Sequence, residues 1–122
     1  MDERFDDNEK LLRAVWPAEL MPLLWNGNRL ASAAFKDKKG LSVDRTYNRT
    51  LEDSIKFIRR SKHGFIFSIS VNTCNEIKAD VKYRPSKDNP YHSEIHGSET
   101  RIELNEEQAL QLSRKAVMVS AP

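Results

Sequence analysis

The run His92-Ser93-Glu94-Ile95-His96 sets two imidazoles four residues apart with a carboxylate between them. In an extended strand residues two apart share a face, so His92, Glu94 and His96 would project together; in a helix His92 and His96 would still meet. Co-facial imidazoles suit metal ligation through neutral ring nitrogens, or proton transfer near neutral pH. The spacing shares with the helical His-Glu-x-x-His zinc motif only its two histidines. A third ligand would have to come from Asp44 or Cys74, so neither a metal nor another cofactor is expected. Acid–base work is the stronger use. His92 or His96 would act as base or acid, with Arg45 or Arg84 holding the oxyanion and Asp44 beside them, in a small phosphoesterase or nuclease. The structural alternative is that one histidine caps a hydrogen bond and the other lies on the surface.

A second candidate is electrostatic. Net charge is only +2, but residues 29–62 hold ten basic and four acidic side chains, while residues 1–10 hold two basic and five acidic. A basic middle attracts phosphate or an acidic partner. Lys36, Lys38, Lys39, Arg45, Arg49, Arg59, Arg60 and Lys62 would supply the charge. The ligand contacts expected from this pattern are Arg45, Arg59, Arg60, Lys62, His63 and Arg84. The alternative is a solvated surface, with His63 a linker residue. The leading reading is therefore a non-enzymatic binding domain for a nucleotide, an RNA or an acidic protein, ahead of the His-dependent enzyme.

A third reading is an accessory subunit that acts only in a complex. Trp16, Leu20, Met21, Leu23, Leu24 and Trp25 form a dense apolar cluster. It would close one side of the core, or present Trp16, Leu20, Leu24 and Trp25 to a second copy or another protein.

Several classes are excluded. The four glycines form no phosphate-binding loop, and no Gly-x-Ser-x-Gly elbow is present. Phe65 and Phe67 do not complete an RNA-binding aromatic motif. The single cysteine, Cys74, precludes an internal disulfide and a cysteine-built zinc site. The acidic start, Met1-Asp2-Glu3-Arg4-Phe5, is unlike a secretory leader, and the Val15–Trp25 stretch is too interrupted to span a bilayer. A cytoplasmic location with no membrane association is expected.

The elements that must position these residues follow from periodicity and caps. Leu11, Leu12, Val15 and Trp16 predict a short helix over 7–16, and Pro17 permits a further turn over 18–21. Leu41 to Asp44 alternates as a short strand in which Ser42 and Asp44 share a face. Thr50 and Asp53 cap a helix running to Arg60. Phe65, Phe67, Ile69 and Val71 make the clearest strand. After it, Thr73 and Glu76 leave a helical turn and a hairpin loop as alternatives. Ile77 to Arg84 alternates as a half-exposed strand, residues 85–90 form a loop, and Tyr91 to His96 is a further strand. Asn105 and Gln108 cap a helix running to Val117. Together these predict one α+β domain over 1–122, with 1–6 a flexible acidic tail. Its largely antiparallel sheet would have three to four strands, with two main helices packed on one face and a helical N-terminal segment.

Overall fold

The computed structural model describes residues 1–122. Six strands make one antiparallel sheet: β1 (Lys10–Val15), β4 (Leu41–Arg45), β5 (Phe65–Ser70), β6 (Asp80–Tyr83), β7 (His92–His96) and β8 (Val117–Ser120). Their spatial order is β6-β7-β4-β1-β5-β8. A small hairpin pairs β2 (Trp25–Asn26) with β3 (Arg29–Leu30). The helices are α1 (Leu51–Arg59), α2 (Val71–Glu76) and α3 (Glu106–Lys115), with 3-10 turns at Pro22–Leu24 and Ser32–Phe35.

The α+β class with antiparallel pairing holds, but three parts of the expected architecture do not. The sheet has six strands rather than three or four. The expected N-terminal helix over 7–16 is β1, a central strand paired with β4 and β5. Leu11 and Val15 enter one hydrophobic cluster and Leu12 the other. A strand buried on both faces places apolar residues at adjacent positions, and over six residues that pattern mimics one face of a helix. Beyond β1 the helical content of the N-terminal segment is limited to the turn at Pro22–Leu24.

The third correction concerns the helices, which lie on opposite faces. Ala109 and Leu112 of α3 pack with Leu11, Val43, Phe67, Ile69 and Ile95 in the main core. Ile58 of α1 packs with Leu12 and Ile66 on the other side, flanked by Ile55 and Val119. Strand alternation requires this split: β1 and β5 have apolar residues at both parities, so each face needs a cover.

The caps of α1 and α3 fall where the sequence marks them, whereas two strand bounds shift: Val71 begins α2 instead of ending β5, and the strand expected over 77–84 is only Asp80–Tyr83. Thr50 accepts from Asp53 N at 3.0 Å, and Asn105 and Gln108 form a reciprocal capping box. After β5 the chain forms α2 rather than a hairpin loop, with Ser70 instead of Thr73 as its cap. The last helix stops at Lys115, and Val117 begins β8.

The two margins of the sheet differ. β6 carries an Asp80–Lys82 ion pair at 3.0 Å. β8 has no charged residue, its outer side makes no backbone hydrogen bond, and Val117 and Met118 are exposed.

Candidate functional site

β1 pairs with β5 along its whole length but with β4 only at Leu11↔Arg45 and Leu12↔Asp44. Beyond Leu12 the two strands part, and Arg13 fills the gap. Its Nε donates to Ala34 O at 2.8 Å and its Nη1 to Ser42 O at 2.9 Å. The guanidinium thus serves carbonyls that strand pairing leaves open. Burial draws its pKa down to about 10, against the pull of Asp37, so it remains charged at neutral pH. Nη2 has no acceptor within the protein and is not sealed from solvent.

Arg13 lines a hollow of about 320 Å³. Lys36, Lys62 and His63 supply the other polar side chains; Trp16, Met21 and Leu24 are among its apolar walls, and no carboxylate lines it. Four separate segments converge here: the exit of β1, the residues at Met21 and Leu24, the Ser32–Phe35 turn with Lys36 after it, and the α1–β5 connection. Gly64 makes the convergence possible. Its φ is +99°, and any Cβ there would strike the Val15 carbonyl, so only glycine lets Lys62 and His63 press against the end of β1. Trp16 is 46% exposed and offers a flat aromatic surface beside the cations. Lys36 is partly engaged, because its ammonium pairs with Glu106, which also accepts from Ser32 at 2.7 Å. Those two contacts hold the exposed Glu106 carboxyl below its usual range.

A second polar array lies on the α1 side of the sheet. Ile58 of α1 packs over Leu12 and Ile66 and Phe57 packs edge-on against Tyr91, while side chains of β4, β7 and β6 give the rest of that face a polar character. Cross-strand register places Asp44 opposite His92, Ser42 opposite Glu94, Lys82 opposite Glu94 and Asp80 opposite His96. His92 Nδ1 lies 2.8 Å from Arg84 O, and its Nε2 lies 3.2 Å from Ser42 Oγ. A carbonyl can only accept, so the neutral ring carries its proton on Nδ1 and its Nε2 accepts from the serine hydroxyl. His96 Nε2 pairs instead with Glu94 Oε1 at 2.8 Å. Gly40, at φ +104°, lies under this pair, where a Cβ would meet Glu94 Oε1 at 2.5 Å.

The expected catalytic set is therefore divided. His92, His96 and Asp44 do share a face. Yet residues four apart in a strand are separated by about 13 Å, and each histidine has its own partner. Asp44 accepts from Asn89 Nδ2 at 2.9 Å and forms no bond to His92. No group of three or more His, Cys, Asp and Glu side chains is placed to hold a metal ion. Cys74 is buried in the main core, where desolvation pushes its thiol up to about 12.

Arg45 points through the sheet, as strand alternation demands of a neighbour of Asp44. It is fully buried and holds Glu9 with two hydrogen bonds of 2.8 and 2.9 Å. It also donates to the carbonyls of Asp2 and Arg4, and lies over the rings of Phe5, Tyr47 and Tyr83 at 4.1 to 5.1 Å. This guanidinium ties the amino-terminal strap to the sheet and has no free face for a ligand.

The other cations are likewise separated. Arg59 donates to Gly64 O, Ser120 Oγ and Ala121 O. Arg60 lies over Phe57, and Arg49 over Tyr91 at 3.3 Å. Arg84 is exposed and gives its backbone carbonyl to His92. Of the expected ligand contacts, only Lys62 and His63 meet in the hollow. Arg13 and Trp16 complete it, although neither was expected there as a ligand contact. The apolar cluster also divides. Trp25 packs on Phe65 and Phe67, and Leu24 packs against the core, whereas Trp16 and Leu20 face outward.

Comparison with known protein families, curated proteins and solved structures found no match.

Proposed function

We propose that the chain is a binding domain for a small phosphate-bearing ligand, most simply a nucleotide, held in the hollow at the end of β1. One observation carries this reading: Arg13 is anchored by two backbone carbonyls, retains one nitrogen without an internal acceptor, and lines a hollow shared with Lys36, Lys62 and His63 but with no carboxylate. A guanidinium pre-positioned in this way loses little freedom on meeting an anion, and its planar fork suits phosphate oxygens. The volume is within the range of small-molecule sites. Trp16 supports a base by stacking, a contact that any nucleobase can make.

The test uses the indole as its reporter. Titration with a nucleoside monophosphate quenches Trp16 fluorescence, and the affinity falls as salt is raised. Lys62→Ala and His63→Ala weaken binding, whereas Arg60→Ala, on a cation outside the hollow, does not. Binding that is insensitive to salt, or unchanged by the Lys62 and His63 substitutions, overturns the reading.

A further inference from the structure

The Ser42–His92 array lies apart from the hollow and has a different electrostatic character. We infer that Ser42 is a nucleophile that accepts an acyl group from an activated ester, with His92 as its base. Three observations support this. The serine hydroxyl has one hydrogen-bond partner, His92 Nε2 at 3.2 Å. The Arg84 carbonyl, 2.8 Å from Nδ1, fixes the tautomer that leaves the Nε2 lone pair facing that hydroxyl. Both side chains lie on paired strands and are only partly buried, so the pair is not sealed inside the core. Nucleophile, base and orienting acceptor thus stand in the order that activates a serine.

The surroundings select the substrate class. Glu94 stands directly across from Ser42, and Asp44 is two residues along the same strand and face. These carboxylates disfavour a phosphate dianion beside Ser42. An uncharged acyl ester meets no such repulsion. In the step itself, Ser42 Oγ attacks the ester carbonyl carbon and its proton passes to His92 Nε2. The carbonyl–oxygen bond to the leaving group then breaks, and the departing alkoxide or phenoxide takes that proton as it leaves as an alcohol or phenol. The product is an O-acyl Ser42, with nothing oxidised or reduced.

The test incubates the whole chain with p-nitrophenyl acetate at neutral pH and follows nitrophenol release, intact mass and the modified peptide. The expected result is one acetyl group per chain, located on Ser42 and absent from Ser42→Ala. His92→Gln and His92→Asn each slow acetylation by about a hundredfold, the lower end of general-base contributions. The Asn variant retains a donor toward the Arg84 carbonyl, so it separates loss of the base from loss of the fold, and thermal melts of both confirm folding. Acetyl groups only on surface lysines, or Ser42 acetylation at an unchanged rate in a folded His92 variant, overturn the inference.

Discussion

Arg13 and Ser42 are joined through the backbone: Arg13 Nη1 donates to the Ser42 carbonyl at 2.9 Å, while the Ser42 hydroxyl reaches His92 on the other side of the sheet. The strand segment that carries the serine is therefore held by the same guanidinium that lines the cationic hollow. Arg13→Ala leaves the Ser42 and Ala34 carbonyls without their donor and costs about 1–3 kcal/mol of stability. Arg13→Lys restores a charge but cannot span both carbonyls. Urea unfolding should place the Lys variant between Ala and wild type, and both should lose at least about tenfold in nucleotide affinity, the loss of one charge-assisted hydrogen bond.

Glu106 competes with any ligand for Lys36. Glu106→Gln removes the ion pair, and nucleotide affinity should rise by up to about fivefold, the scale of an exposed pair. The pH dependence has a definite sign. The carboxyl titrates lower in the folded chain than in the unfolded one because Lys36 and Ser32 hydrogen-bond its charged form. Its stabilising contribution is present above its ordinary value of 4.5 and is lost as pH falls through the lower folded value. Acid unfolding of Glu106→Gln, compared with wild type, should lack that component.

The Glu9–Arg45 pair is a different case. Both side chains are almost wholly buried, and removing one partner leaves an unpaired charge in the interior. Glu9→Ala should cost about 3–5 kcal/mol. A loss below about 1 kcal/mol, the range of a surface pair, would show that water reaches Arg45.

Cys74 should be silent. With its thiol pushed up to about 12 by burial, almost no thiolate forms near neutral pH. Reaction with a thiol reagent should proceed only through unfolding, so its rate should climb with urea along the unfolding transition. Fast modification in water would contradict the packing of α2.

Much of this fold was legible in the sequence, and the exceptions have physical causes. α1 and α3 were marked by Thr50 and by the Asn105–Gln108 pair, because capping is local chemistry. β5 was marked by strict alternation. β1 carries a helical pattern because its burial on both faces is a tertiary fact, invisible in a six-residue window. Of β8 only Val117 reads as the end of the preceding helix, since Ala116 and Val117 continue the apolar spacing of α3, and Met118–Ser120 carry no periodic signal of their own. The candidate site was harder to read. Arg45 was expected at a surface because charged residues usually are, but its parity with Leu41 and Val43 already placed it on the core side. Arg13 interrupts the apolar run Leu11-Leu12-Arg13-Ala14-Val15, a visible signal that a helical reading assigns to solvent. The gap it fills exists only because β1 and β4 separate, and no local pattern encodes that.

The unlike margins of the sheet also limit how copies of this chain could join. A filament needs each subunit to offer two different complementary edges, and the Asp80–Lys82 pair guards one of them. Only the margin formed by Val117–Ser120 is left for main-chain pairing, and it could meet only its own twin. Two molecules joined in that way would enclose a twofold axis and consume both open edges, so growth would stop at a pair.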